Sequence, residues 1–118
     1  MAAKDELGRR GEDLAVAYLE QQGLVVLDRN WRCRHGELDV ICTDRERLVV
    51  CEVKTRTSTR YGSPAEAVDD RKVRRIRRLA NLWLAAHHVC WVEVRFDVLA
   101  VLAPPGVPAR IQHYRAAF

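Results

Sequence analysis

The stretch GELDVICTDRERLVVCEVKTR, residues 36–56, decides how this chain folds. It holds two apolar runs separated by the charged segment DRER, which is the pattern of two extended strands joined by a tight connection. We predict strands over residues 37–43 and 48–55, and the short connection favours antiparallel pairing between them.

Charged residues fall at positions that these strands would align. Because side chains two residues apart point to the same face of a strand, Glu37 and Asp39 share one face, and Glu52 and Lys54 share one face of the next strand. Side chains opposite each other on neighbouring strands lie roughly 5 Å apart. The spacing therefore predicts a patch in which three carboxylates meet one ammonium group.

A patch of this kind favours a divalent cation, because clustered carboxylates resist joint ionisation and Mg²⁺ prefers hard oxygen ligands. A cation beside a lysine can activate water and stabilise charge on a phosphoryl oxygen, which is the chemistry of phosphodiester hydrolysis. The alternative is an ordinary solvent-exposed strand face, where alternating charges are common. Glu52 argues against that alternative, since it follows the apolar run Leu48-Val49-Val50-Cys51, where an unpaired charge is costly.

The flanking sequence predicts the remaining elements. A helix over residues 7–22 ends at Gly23, and a strand over 24–31 follows it. The capping box Ser63-Pro64-Ala65-Glu66 starts a second helix that runs to about residue 87. A strand over 91–102 ends at Pro104-Pro105, and the tail from residue 110 has room for an added edge strand.

The order α-β-β-β-α-β predicts an α/β fold in which helices flank a mixed sheet. The main domain covers residues 1–103, and residues 104–118 form a C-terminal tail. Gly8 and Gly11 lie near the start of the first helix, where each disfavours the helix by up to about 1 kcal/mol. They indicate close approach of a backbone or a phosphate, or simple fraying of the helix end.

Length and composition limit the class of protein. A chain of 118 residues with 48% hydrophobic content can form one core. No apolar run approaches the roughly 20 residues of a membrane span, and the first residues lack the apolar stretch of a secretory signal, so we expect a soluble cytoplasmic protein.

The four cysteines show no pairing motif, and most lie in strand-like apolar runs, which favours reduced thiols. A zinc site from His87, His88 and Cys90 is a weaker alternative because the spacing is unusual and a fourth ligand is missing.

The formal charge of +4 is carried largely by arginine, whose planar fork grips phosphate with two hydrogen bonds. Candidate phosphate contacts lie at the rim of the acidic patch and on the second helix. They are Arg32, Arg34, Thr55, Arg56, Arg60, Arg74, Arg75 and Arg78. The alternative is that these residues form a solvated loop and a solvated helix face. Arg95 and Asp97 share a strand face and are interpreted as a structural ion pair.

Several motifs together resemble those of the bacterial YraN family of endonuclease-like proteins. They are Gly8-x-x-Gly11-Glu12, Arg29-Asn30-Trp31-Arg32, Gly36-Glu37-Leu38-Asp39-Val40-Ile41, Cys51-Glu52-Val53-Lys54-Thr55-Arg56, Tyr61-Gly62, Glu66-Ala67-Val68 with Lys72, and Arg95-Phe96-Asp97-Val98. That family is similar to the PD-(D/E)xK nuclease superfamily, which includes the archaeal Holliday-junction resolvases.

The resemblance implies a restriction-endonuclease-like core and residue roles. Asp39 and Glu52 would hold Mg²⁺ or Mn²⁺, and Glu12 would be an additional metal or outer-shell carboxylate, with Glu37 a weaker candidate. Lys54 would position the attacking water. The implied activity is a metal-dependent endonuclease acting on branched or flapped DNA, and related resolvases act as homodimers.

Two other functions fit the same sequence. The first is a nucleic-acid-binding module on this fold, in which the carboxylates are catalytically idle and the arginines bind. The second is a protein-interaction domain with no nucleic-acid partner. Salt-dependent binding without metal would favour the first, and absence of nucleic-acid binding would favour the second.

Overall fold

The architecture is a five-stranded sheet with a helix on each face. The computed structural model describes residues 3–58, 69–90 and 92–118. Within these ranges the elements are α1 (Ala3–Gln21), β1 (Val25–Cys33), β2 (Gly36–Thr43), β3 (Arg47–Arg56), α2 (Asp70–Ala86), β4 (Glu93–Leu102) and β5 (Arg110–Tyr114).

The strands form a mixed sheet in the order β1-β2-β3-β4-β5. Only β3 and β4 pair in parallel among these strands, and the crossover between them contains α2. The α/β fold with a mixed sheet and flanking helices is confirmed, and it is consistent with a restriction-endonuclease-like fold. The tail supplies β5, which pairs with β4 at the edge of the sheet.

Alternation along β3 explains why the helices lie on opposite faces. Leu48 and Val50 pack in the cluster that contains α2, whereas Val49 and Cys51 pack in the cluster that contains α1. A strand buried on both faces reads as a continuous apolar run, as this one does. β3 is therefore the central strand, and Glu52, the acidic residue that follows its apolar run, contacts Lys72 of α2.

The glycines of α1 have different surroundings. A Cβ built on Gly11 would overlap the Oγ1 atom of Thr55 on β3, whereas nothing lies within 4 Å of a Cβ built on Gly8. The close approach expected from the sequence is therefore made at Gly11 by the sheet. Gly23 follows the end of α1 with a φ of 89°, the left-handed conformation that favours glycine at a helix C-terminus.

The second helix begins later than the sequence predicted. Asp69 has an extended backbone (φ −85°, ψ 174°), and its side chain accepts the Lys72 backbone N–H, so Asp69 is the N-cap of α2. An extended residue at this point interrupts any continuous helix from Ser63, so the prediction of one helix over 63–87 is wrong at its start. The capping box itself lies outside the described residues. The helix ends at Ala86, close to the predicted position.

Asp97 on β4 ties the C-terminal tail to the sheet. Its fully buried carboxylate accepts two hydrogen bonds from the Arg95 guanidinium at 2.9 Å, and the Ala116 N–H donates to it at 3.0 Å. His113 Nε2 lies 2.7 Å from Asp97 Oδ2, and Tyr18 of α1 contacts the other ring nitrogen of His113 at 3.0 Å. The predicted Arg95–Asp97 ion pair is present within this larger network.

The cysteines are free, with Cys42 and Cys51 buried and Cys90 exposed. Among the described residues, no group of three or more possible metal ligands contains His87, His88 or Cys90, so the zinc alternative gains no support. Neither helix in the described ranges is long and apolar enough to cross a membrane.

Candidate active site

Asp39 lies where β2 and β3 separate. The β2–β3 ladder runs from Thr43↔Leu48 to Val40↔Cys51, and beyond it the Asp39 carboxylate accepts the Val53 backbone N–H at 2.8 Å. The regular face alternation of β2 is broken here, because Leu38 and Ile41 pack in the same core cluster although they are three residues apart. This local irregularity places a carboxylate between the two strands.

β1 is also irregular beside this point. Asn30 has a φ of 51°, in the left-handed region, and lies between the paired residues Arg29↔Val40 and Trp31↔Leu38. Asparagine tolerates this conformation better than most residues. The Asn30 side chain lies close enough to Glu12 of α1 to lower the pKa of that carboxyl, so helix and strand approach each other next to the carboxylates.

Three carboxylates, one of them that of Asp39, lie close together next to α1. One oxygen from each of Glu12, Glu37 and Asp39 lies within 4.8 Å of the other two. Glu12 comes from α1, and Glu37 and Asp39 come from β2, where their spacing of two residues was the basis for predicting a shared face. They line an open cleft of about 620 Å³ together with Gly8, Arg9, Asn30 and Arg32.

Lysines and a fourth carboxylate lie on the other side of Asp39. Glu52 Oε1 is 2.8 Å from the ammonium of Lys72 on α2 and 3.4 Å from that of Lys54 on β3. Glu52 is close enough to Asp39 for its charge and a side-chain hydrogen bond to act on that carboxyl. Asp39 is therefore the residue that joins the carboxylate cluster to the lysine pair.

Burial and neighbouring charge perturb the ionisation of the site. Burial, followed by repulsion from Glu52, raises the pKa of Asp39 to about 7, although the hydrogen bond from Val53 acts in the opposite direction. Burial also raises the pKa of Glu12, and Glu37 adds to that shift. Burial and the ammonium of Lys72 lower the pKa of Lys54. Groups perturbed in this way are concentrated at functional sites.

The donor set suits a hard divalent cation. Carboxylate oxygens are the ligands that Mg²⁺ and Mn²⁺ prefer, and three are already close together. The raised pKa of Asp39 means that its negative charge is incompletely compensated by the protein. A divalent cation would supply the missing compensation, so the residues present fit the metal that the sequence suggested.

A model of Uncharacterised protein family UPF0102 matches residues 11–101 of the chain, a range that contains the four carboxylates and both lysines of the site. The chain belongs to the UPF0102 family. UPF0102 is the YraN family, so the resemblance seen in the sequence motifs is confirmed.

Several UPF0102 proteins are similar to this chain over nearly their whole length. One from Frankia casuarinae is 59% identical and covers 100% of both chains. One from Frankia alni is 57% identical over 100% of this chain and 98% of its own, and one from Arthrobacter sp. (strain FB24) is 50% identical over 98% of each.

The four residues predicted for catalysis in this UPF0102 chain lie around one point. Asp39 interacts with both Glu12 and Glu52, and Lys54 contacts Glu52. The closely spaced carboxylate group, however, contains Glu37 in place of Glu52, which lies towards the lysines. Glu37 is thus more central in the structure than the sequence indicated.

The predicted phosphate-binding residues are dispersed over several surfaces. Arg32 is 76% exposed, and its Nε donates to Glu37 at 3.0 Å at the rim of the cleft. Thr55 lies against Gly11 in the contact between α1 and the sheet, and Arg56 is half-buried at the end of β3. Arg60 lies outside the described residues.

The remaining predicted arginines form one exposed surface from two elements. Arg34 lies in the turn between β1 and β2, and Arg74, Arg75 and Arg78 lie on α2. Arg78 Nη2 approaches the ring of His35 at 3.5 Å, so the turn and the helix are in contact. We call this set, Arg34, Arg74, Arg75 and Arg78, the arginine surface.

Lys72 is the site residue that sequence reasoning did not place. The family motifs include it without assigning it a role, yet its position four residues before Ile76 puts it in line with the buried stripe of α2. That stripe is Ile76, Leu79, Ala80 and Trp83. A lysine at a core-facing helical position was the available signal, because such a lysine needs a buried partner.

Proposed function

We propose that this UPF0102 protein is a metal-dependent endonuclease that hydrolyses phosphodiester bonds in structured DNA, such as branched or flapped intermediates. The observation that carries the proposal is the meeting of Glu12, Glu37 and Asp39 in an open cleft, with Glu52 and two lysines directly beside Asp39. Neither an ordinary solvent-exposed strand face nor a simple surface ion pair accounts for this arrangement.

The charge of the cluster supports a phosphodiester substrate. Arg32, Lys54 and Lys72 contact two of its carboxylates, Glu37 and Glu52. A divalent cation would add positive charge where Glu12, Glu37 and Asp39 lie close together. Positive charge at this point would attract the negative charge of a phosphodiester.

The protein groups have distinct roles in the proposed hydrolysis. A cation held by Asp39 with Glu12, Glu37 or Glu52 would supply Lewis-acid stabilisation of the phosphoryl oxygens and would acidify water. Lys54, whose lowered pKa reflects burial and the charge of Lys72, would orient the water or the phosphate. The water oxygen bonds to phosphorus, the bond from phosphorus to one ester oxygen breaks, and protons from water pass to the leaving alkoxide and to solvent.

The arginine surface supports a nucleic acid as the polymer that carries the phosphodiester. Arginines that contact phosphates hold a strand without reading its sequence, as an enzyme directed to DNA structure requires. The surface reaches the β1–β2 turn, which leads directly into Gly36 and Glu37 of the site. DNA lying across α2 and this turn would pass close to the carboxylates.

The experiment is a cleavage assay on branched, flapped, single-stranded and duplex DNA with Mg²⁺ or Mn²⁺. We expect cleavage that requires metal and is lost in Asp39→Ala, while Glu20→Ala, which removes an exposed carboxylate of α1, remains active. The nuclease proposal should be abandoned if no substrate is cut with either metal and Asp39→Ala changes no measurable property.

A binding module without catalysis is the second candidate, and one observation favours it. Arg32 already pairs with Glu37, and both lysines already pair with Glu52, so side chains satisfy much of the cluster without metal. This candidate predicts metal-independent DNA binding that weakens steeply with salt. Arg78→Ala should lower the affinity for DNA and make that affinity less dependent on salt concentration. Lys54→Ala should change neither property, and nor should the control Arg45→Ala in the β2–β3 turn.

A further inference from the structure

Two ammonium groups converge on a single oxygen of Glu52. Lys72 Nζ lies 2.8 Å from Oε1, and Lys54 Nζ lies 3.4 Å from the same atom. The side chains of Glu52, Lys72 and Lys54 are only 11%, 19% and 22% exposed, so water screens these contacts less than it screens a surface ion pair. One ammonium group would balance the charge of Glu52. The presence of a second ammonium group therefore requires an explanation.

The fold fixes the position of Lys72. Its backbone N–H donates to Asp69 Oδ1 at 2.9 Å in the first turn of α2, and Ile76, one turn later, is buried against the sheet. These two contacts fix the backbone of Lys72 relative to the sheet. The packing of α2 against the sheet therefore holds the ammonium group of Lys72 next to Glu52.

The neighbour of Glu52 supplies the reason for a second cation. Asp39 and Glu52 repel each other when both are ionised, and they lie in a partly buried environment where that repulsion is strong. Lys54 also approaches Glu52, but at a greater distance. Among the described residues, Lys72 is thus the closest compensating charge for the carboxylate that lies beside Asp39.

Building on the metal-dependent function proposed above, we infer that Lys72 is a counter-cation that satisfies Glu52 in the metal-free protein and competes with a divalent cation for that carboxylate. The affinity for the cation is then lower than the carboxylates alone would give. When Glu52 turns to the cation, the ammonium of Lys72 becomes available to a phosphate of the DNA.

The test is the binding of Mn²⁺ to the full chain without nucleic acid, measured by electron paramagnetic resonance of the free ion. Replacing Lys72 by methionine keeps the length of the side chain and removes its charge. We expect Lys72→Met and Lys72→Gln to bind Mn²⁺ roughly three- to tenfold more tightly than the wild type, because a competing charge is gone. Lys72→Arg should bind about as the wild type does.

The matched control is Arg71→Met, which removes the same charge from an exposed position in the same turn of α2. Its affinity for Mn²⁺ should change by less than about twofold, since solvent and salt screen an exposed charge. Thermal unfolding followed by circular dichroism establishes that each variant is folded at the assay temperature. Having two neutral variants keeps the test available if one of them does not fold.

The possible outcomes separate this inference from the nuclease proposal. Unchanged or weaker Mn²⁺ binding in the folded neutral variants would overturn the competition. Tighter binding in these variants, with no cleavage of any DNA, would uphold the role of Lys72 and count against nuclease activity. If neither the wild type nor the variants bind Mn²⁺, the role of Lys72 and the metal-dependent mechanism both fall.

Discussion

The Asp39 carboxylate accepts the backbone N–H of Val53 at 2.8 Å, one step beyond the last paired residues of β2 and β3. The side chain thus takes the place of a strand partner at the point where the two strands separate. It is held in a partly buried position between Glu12 and Glu52, and this location explains why it is the most perturbed acid of the carboxylate cluster.

Replacing Asp39 by asparagine should stabilise the metal-free protein at alkaline pH. The folded-state pKa is about 7 against the ordinary aspartate value of 3.8, so the folded protein binds more protons than the unfolded chain between these values, and stability falls as pH rises through that window. Asparagine keeps an acceptor for Val53 and carries no charge. We expect Asp39→Asn to be more stable at pH 8 by on the order of 2 kcal/mol.

Chemical denaturation at several pH values in the presence of a chelator measures this effect. The advantage of Asp39→Asn should shrink as the pH is lowered towards 4, where the wild-type carboxyl is increasingly protonated in both states. A variant that is less stable than the wild type at pH 8 would mean that the hydrogen bond to Val53 outweighs the electrostatic cost.

Binding of Mn²⁺ should depend on pH near neutrality. A carboxyl must lose its proton to bind a cation, so the affinity should fall as the pH drops below about 7, by up to roughly tenfold per pH unit. Calorimetric titration between pH 5.5 and 8 measures the dependence. Asp39→Asn should show weak binding without an inflection near pH 7, and a flat profile in the wild type would exclude Asp39 as the titrating ligand.

Gly11→Ala should destabilise the protein by about 2 kcal/mol or more, because the added methyl group would collide with Thr55 in the contact between α1 and β3. Gly8→Ala is the matched control in the same helix, where the new methyl group meets nothing within 4 Å. It should stabilise the protein by up to about 1 kcal/mol through helix propensity. Equal effects of the two substitutions on thermal unfolding would refute the packing explanation for Gly11.

Asp97→Asn should lower the free energy of unfolding by about 3 kcal/mol or more, since it leaves the Arg95 charge beside a buried neutral group. Asp13→Asn is the comparison, because its ion pair with Arg29 has a side chain that is 69% exposed and should contribute less than about 1 kcal/mol. Although burial alone would raise it, the contacts from Arg95, Ala116 and His113 lower the pKa of Asp97. The stabilisation should therefore persist down to about pH 4 and disappear only in more acidic solution, as urea denaturation across pH would reveal.

Local patterns predicted the sheet well, because each strand of the β2–β3 hairpin has its own apolar run and the turn is short. The same alternation placed Glu37 and Asp39 on one face. Alternation predicts which face a side chain points to, but it does not predict how far that side chain lies from a helix, so the proximity of Glu37 to Glu12 on α1 was not evident. Lys72 was missed for a related reason. Its orientation depends on the register of α2, and the predicted start at Ser63 differed from the observed start at Asp70.

Anomalous scattering from a crystal soaked in Mn²⁺ shows most plainly whether a divalent cation binds at the fork between β2 and β3. We expect a peak about 2.1 Å from an oxygen of Asp39 and within coordinating distance of at least two of Glu12, Glu37 and Glu52. A well-soaked crystal with no peak beside Asp39, or with manganese only on exposed carboxylates such as Asp69 and Asp70, would contradict the metal site and the nuclease proposal that depends on it.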